Sequence, residues 1–218
     1  MAGKIIYSSL TQAEAGAQLL LMRHPETKGN SLRHFVGQTN SPLTDNGELQ
    51  RQAAVDALIA YYPGLIISSP LDRCMAIARP AAQALGCELK VDERIQEMNF
   101  GAIEGMSAQE ALDKGLSLPW GEGSGGWPVT GAEDFDEFFS RVHGAYEDYM
   151  QLKGKVVLVT HGGVIRAMLS HILGLDFVRA AKLRSPNVNT TILNIYNGEA
   201  YIESMFLRPD EVILRAHH

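Results

Sequence analysis

The stretch Leu19-Leu20-Leu21-Met22-Arg23-His24-Pro25-Glu26-Thr27 decides the reading of this chain. Four apolar residues in a row have the look of a short buried strand. Pro25 has no N–H for a sheet ladder, so the strand ends by about His24. A guanidinium and an imidazole are then presented at the carboxyl end of a core strand, where open α/β sheets put their ligands.

The same punctuation recurs downstream. Leu65 to Ile67 is a second short apolar strand stopped by Ser68-Ser69-Pro70, with Arg73 opening a helix over Asp72 to Leu85 that Gly86 ends. Lys155 to Thr160 is a third such strand, followed at once by His161-Gly162-Gly163 and a helix from Val164 to Leu173. Between these, Thr44 reads as the N-cap of a helix closed by Pro63-Gly64, and Glu88 to Val91 as a strand. Arg94 to Gly105 is less regular, with a helix from about Ser107. Gly115 to Gly131 reads as a long surface loop and Asp134 to Leu152 as the longest helix. Val188 to Tyr196 and Glu199 to Phe206 are closing strands around an Asn197-Gly198 hairpin turn. The lead-in Lys4 to Gln18 reads equally well as strand or helix.

Strands alternating with helices predict a mostly parallel sheet covered on both faces. Three strand ends, carrying Arg23-His24, Ser69 to Arg73 and His161-Gly162, then open on one edge. Residues 1–218 read as a single domain with an insertion, or cap, at about 102–134.

Composition narrows the partners. A formal charge of −6 excludes the basic face on which nucleic-acid affinity rests. It leaves room for an anionic small molecule, because a few arginines can dominate one cleft. No run approaches the roughly 20 apolar residues of a membrane span, and Met1 to Gln18 lacks the apolar core of a secretory signal. Cys74 and Cys87 have neither metal-ligand nor disulfide-framework spacing, which suits a reducing compartment and a cytoplasmic location. The oligomeric state is open, a homodimer among the options.

Two guanidiniums suit a tetrahedral dianion, since each offers forked donors to its oxygens. Their charge also favours neutral imidazole, leaving a lone pair on His24 for attack at phosphorus. His161 and the Gly162 N–H are suited to stabilising the charge in flight. A leaving alkoxide needs a proton, and Glu97 is the candidate acid; spacing does not choose it over Glu26, Glu93 or Glu104.

These residues also carry a resemblance. Arg23-His24-Pro25-Glu26-Thr27 with Asn30, then Gly37, Pro42-Leu43-Thr44 and Gly47, Ser69-Pro70-Leu71-Asp72-Arg73, Glu97 to Gly105, and His161 to Arg166 follow in the order of the histidine phosphatase (phosphoglycerate-mutase-like) superfamily. The chain resembles that family from about Leu19 to Phe206. The resemblance implies a three-layer α/β/α sandwich around a six-stranded, mostly parallel sheet with one antiparallel strand. It implies His24 as nucleophile, Arg23, Arg73 and His161 on the phosphate, Asn30 assisting and Glu97 as proton donor, with no cofactor and no metal. Pro25 stands where the family has glycine, and Cys74 where it often has threonine.

The activity implied is that of a histidine acid-type phosphatase acting on a small phosphorylated metabolite. Mutases of the family carry Trp where Gly29 stands and Arg-His-Tyr-Gly where Met98-Asn99-Phe100-Gly101 stands. They also carry arginines in the insertion, and Ala102 to Asp134 contains none. A non-catalytic phosphate-binding module of the same fold is the reading from another class.

Other signals read as structural. Glu104 fixes a loop, Arg166 supports the fold, and His34, His143 and His171 are bystanders beside arginines that would repel a cation. Gly121, Gly123 and Gly126 have dinucleotide-loop spacing without the flanking strand and helix the fingerprint requires. Ser124 fails the nucleophile-elbow pattern because Glu122 holds its first glycine position.

Overall fold

A computed structural model describes residues 16–118 and 129–216. Trp120, Glu122, Ser124, Trp127, the glycines from Gly121 to Gly126, the lead-in up to Ala15 and His217-His218 lie outside the described residues. In chain order the elements are β1 (Ala17–Arg23), α1 (Lys28–Ser31), α2 (Asp45–Tyr61), β2 (Leu65–Ser68), α3 (Asp72–Leu85) and β3 (Glu88–Val91). After 3-10 turns at Glu93–Ile95 and Gly101–Ile103 come α4 (Ala108–Asp113), α5 (Phe135–Tyr149), β4 (Gly154–Thr160), α6 (Gly162–Leu173) and α7 (Phe177–Ala180). β5 (Thr190–Tyr196), β6 (Glu199–Leu207) and α8 (Pro209–Ala216) close the fold.

The six strands form one sheet in the order β3-β2-β4-β1-β5-β6. β3, β2, β4 and β1 are mutually parallel, and β5 runs antiparallel to both its neighbours. The expected single antiparallel strand is therefore β5. β1 and β4 are buried on both faces, as a central parallel strand must be. Side chains alternate across the pleat: Leu19 and Leu21 pack with Val156, Leu158, Phe138, Val142 and Ile165 toward α5 and α6. Leu20 and Met22 pack with Val157, Val159, Ala54, Leu58, Ile77 and Val212 toward α2, α3 and α8. Those two apolar layers make the three-layer sandwich.

Helix ends follow local chemistry. The Thr44 hydroxyl caps α2 by accepting from the Gly47 N–H at 2.9 Å, and Tyr62 leaves the helix at φ 57° just before Pro63. Gly47 is required for packing, since a Cβ there would run into the carbonyl of Glu26. Asn197 and Gly198, at φ 52° and 81°, make the turn with both central residues left-handed that a two-residue hairpin requires.

Three expectations are corrected. α2, at 17 residues, is longer than α5 at 15. The helical pattern from Asp134 stops at Tyr149, and the chain continues to Leu152 in tight turns. Val188 does not begin β5: it sits at φ 54°, an unusual conformation for a β-branched residue. Its N–H is held by the Arg23 carbonyl at 3.1 Å, so a tertiary contact overrides its strand preference. α1, α7 and α8 were not anticipated, being too short for a periodic signal.

The Thr44 cap also anchors the loop after β1, since its hydroxyl donates to Glu26 Oε1 at 2.6 Å. Thr44→Ala should lower stability by about 1–2 kcal/mol, and Thr44→Ser should retain most of it. The urea midpoint at unchanged slope is the measurement; equal midpoints for all three proteins would rule out the cap.

Candidate active site

Register brings the site together. β1 and β4 align Arg23 with Thr160, and β2 and β4 align Ser68 with Val159. The residues that follow, His24, His161 and Ser69, therefore emerge side by side at one edge. The His24 N–H continues the ladder to the Thr160 carbonyl at 2.9 Å, and the Ser69 N–H reaches the Val159 carbonyl at 3.0 Å. The imidazoles of His24 and His161 lie 5.2 Å apart at 55°. His24 is 3 % exposed, His161 0 % and Arg73 2 %, so the edge is a pocket floor rather than a surface.

Hydrogen bonds assign the tautomers. His24 Nδ1 lies 2.6 Å from the Pro25 carbonyl, which can only accept, so Nδ1 carries the proton and Nε2 keeps its lone pair. His161 Nδ1 accepts from Arg73 Nε at 3.3 Å, which leaves Nε2–H to donate to Ser69 Oγ at 2.8 Å. Both imidazoles are held well below their ordinary pKa, by burial first and then by Arg73, with Arg23 adding to both. Neutral His24 is thus the ligand-free state.

The guanidiniums are braced by main-chain oxygens. Arg73 donates to the Gly37 carbonyl at 2.6 Å and the Thr39 carbonyl at 3.1 Å, and Arg23 donates to the Ser185 carbonyl. Neither pairs with a carboxylate among the described residues, and the Arg23 Nε–H is buried without an acceptor. Burial brings the Arg23 pKa down to about 10 and lowers that of Arg73. One buried and one half-buried cation, neither with a counter-charge, make a site for an anion.

Around them, Asn30 is tied into the first turn of α1 by the Thr27 N–H, which donates to its Oδ1 at 3.2 Å. Gly162 opens α6 beside the Arg23 guanidinium, and the side chain of the N-cap residue, His161, makes no capping hydrogen bond to that helix end. Glu97 is joined to the same end through the Gly163 N–H at 3.1 Å, and a Cβ on Gly163 would collide with its carboxylate. Glu97 also adds negative potential at Arg23. Glu104 accepts from the backbone N–H groups of Gln38 at 2.9 Å, Thr39 at 2.8 Å and Phe100 at 3.0 Å. It is the clamp on the loop whose carbonyls hold Arg73.

Sequence reasoning missed several supports. Ser69 orients His161, a role its position in Ser-Pro-Leu-Asp-Arg could have suggested. Asn187, whose Nδ2 donates to the His24 carbonyl at 3.0 Å, gave no signal, and neither did Ser185. Cys74 packs its sulfur 3.5 Å from His161 Nε2, and burial pushes its thiol up to about 12, so it acts as a small apolar wall. Arg166, read as structural, lines a cleft of about 700 Å³ with Arg23, Arg184, Asn187 and Arg208. The segment before β5 supplies one wall of this cleft.

The depressed imidazoles have a signature in stability. Below the unfolded pKa of about 6.5 the unfolded chain binds protons that the fold refuses. Stability is then full above that pH and lost as pH falls through it. The midpoint of thermal unfolding in phosphate-free buffer should drop between pH 7 and 5.5, and His24→Asn should flatten the slope. Identical slopes would mean that His24 is protonated in the fold.

The arrangement can be compared with known proteins. The chain matches the model for the histidine phosphatase superfamily (branch 1) over residues 19–208. It is 30 % identical over 200 residues to the "Probable phosphoglycerate mutase GpmB" of Salmonella paratyphi C, covering 90 % of each chain. The α-ribazole phosphatase from Shigella flexneri superposes with a TM-score of 0.77 at 22 % identity, over 88 % of this chain and 96 % of that one. A mycobacterial glucosyl-3-phosphoglycerate phosphatase, solved with VO3, gives 0.73 at 22 % identity, over 87 % and 99 %. These two structures share the fold. The matched span runs from β1 through the end of β6 and takes in every strand end at the pocket, so the chain belongs to the histidine phosphatase superfamily.

Proposed function

We propose that the protein is a phosphomonoesterase that hydrolyses a small phosphorylated metabolite through a phosphohistidine on His24. The observation that carries this reading is the pair of guanidiniums, Arg73 buried and Arg23 half-buried, without counter-ions among the described residues and beside a neutral imidazole whose Nε2 is free. A phosphate dianion supplies the missing charge.

In the first step His24 Nε2 attacks phosphorus as the P–O bond to the leaving group breaks. Glu97 gives the leaving oxygen its proton. Arg23, Arg73, the Asn30 amide and the Gly162 N–H hold the three equatorial oxygens, joined by His161 once its Nε2–H turns from Ser69 Oγ to the phosphate. In the second step water attacks the phosphoryl group, Glu97 takes its proton, and the P–N bond breaks to return His24 and inorganic phosphate. The Pro25 carbonyl stabilises the Nδ1–H throughout, as imidazole gains and loses positive charge.

The substrate body beyond the phosphate has the cleft next to Arg23 available. Arg208 is engaged there by Asp210 and Glu211, whereas Arg166 and Arg184 form no ion pair among the described residues. This suits a body that is anionic or rich in hydroxyls. The relatives named as mutases support a second reading, return of the phosphoryl group to a substrate. Against it stands the segment Ala102 to Asp134, without one arginine to hold a substrate carboxylate. No helix among the described residues is long and apolar enough to cross a membrane. The free thiols of Cys74 and Cys87 suit a reducing, cytoplasmic setting.

With p-nitrophenyl phosphate, phosphate release should vanish in His24→Ala, and turnover without hydrolysis in favour of phosphoglycerate isomerisation would favour the mutase. Glu97→Gln should lower turnover of an alkyl phosphate by about 10²–10⁴ and that of p-nitrophenyl phosphate far less, because nitrophenolate scarcely needs a proton. Equal losses on the two esters would remove Glu97 from the acid role. EDTA should leave hydrolysis intact.

A further inference from the structure

Away from the phosphate pocket, the helix pair α5 and α6 brings together three side chains that the proposed chemistry does not use. His143 and Glu147 stand one turn apart on α5, and His171 faces them from the last turn of α6. The two imidazoles are 4.3 Å apart and tilted by 51°, and Tyr146 packs against both. His143 Nε2 and His171 Nε2 approach one and the same carboxylate oxygen, Glu147 Oε1, at 3.6 and 4.0 Å. One ligand atom from each residue lies within 4.8 Å of the others.

Those separations are too long for hydrogen bonds, which end near 3.2 Å. They are close to what a metal demands. Bonds of about 2.0–2.2 Å to a tetrahedral Zn²⁺ put neighbouring ligand atoms roughly 3.3–3.5 Å apart. Both edges to Glu147 therefore need to contract by only a few tenths of an ångström. All three side chains are about half exposed and have the freedom to do so. We propose that His143, Glu147 and His171 form a Zn²⁺-binding site that cross-links α5 to α6.

The donor set fits a borderline ion: two imidazoles and one carboxylate bind Zn²⁺ with a fourth position left to water. The expectation of no metal here rests on arginines beside the histidines, and two of those nearby are engaged elsewhere. Arg141 turns to Glu133 and to the carbonyls of Arg94 and Gln96, and Arg94 is held by Asp92 and Asp148. His34, the third histidine once grouped with these two, lies instead beside Glu110. The site is also separate from the phosphate pocket. His171 stands about two and a half turns along α6 from Gly162, so a Zn²⁺ ion here acts on the scaffold and not on the reacting phosphate.

Calorimetric titration of the full-length, metal-stripped protein with Zn²⁺ at pH 7.5 tests the site. Changing His217 and His218 to alanine removes the terminal pair as a competing ligand. In that background one ion should bind, the thermal midpoint should rise with Zn²⁺ concentration, and Co²⁺ should give the intense visible bands of tetrahedral coordination. His171→Ala and Glu147→Gln should each weaken binding by about tenfold or more, beyond the effect of losing an outer-shell partner, and abolish the Co²⁺ bands. Hydrolysis of p-nitrophenyl phosphate by the metal-stripped protein should equal that of the loaded protein. Absence of saturable binding, or affinity unchanged in His171→Ala, would overturn the proposal.

Discussion

Two guanidiniums, one buried and one half-buried, sit together with no carboxylate paired to either among the described residues, and most of the remaining architecture serves that arrangement. A buried cation is unfavourable unless hydrogen bonds and an opposite charge compensate it. Here the hydrogen bonds are built in, while the opposite charge is left to an incoming anion. Burial first, and then the same positive field, keeps His24 neutral, so the tension that weakens the empty fold also leaves this imidazole its lone pair. Activity and ligand-free stability are opposed in the same few side chains.

Holding that tension requires precise support at some distance from the anion. Arg73 is aimed by the carbonyls of Gly37 and Thr39, and these are aimed in turn by the Glu104 carboxylate. Gly37 has no room for a side chain against Glu104, just as Gly163 has none against Glu97. Both glycines mark places where a carboxylate must come within hydrogen-bond reach of backbone N–H groups. Burial of the strand ends does the rest.

Much of this could be read in the residues. The strand ends at Arg23, Ser68 and Thr160 are marked by abrupt changes from apolar to charged or small residues. The α2 cap and the Asn197-Gly198 turn follow from local chemistry that tertiary contacts do not oppose. What escaped notice is long-range by nature. Asn187 and Ser185 reach the pocket only because the chain before β5 folds back over Arg23, and nothing near them in sequence announces it. Val188 takes a left-handed conformation against its own preference for the same reason. His143 and His171 are 28 positions apart, and only the packing of α5 on α6 turns two ordinary surface histidines into neighbours.

The oxygens that orient His24 and the two arginines are peptide oxygens: Pro25 on the imidazole, Gly37 and Thr39 on one arginine, Ser185 on the other. A point mutation can delete a side chain, but it cannot delete a carbonyl. Mutational drift at Pro25, Thr39 and Ser185 is therefore free to alter residue identity wherever the backbone path survives, whereas Gly37 is held by its lack of room for a Cβ. A scaffold wired in this way tolerates extensive divergence around a constant centre, and proline in place of glycine at position 25 is an instance: the ring changes, the acceptor stays.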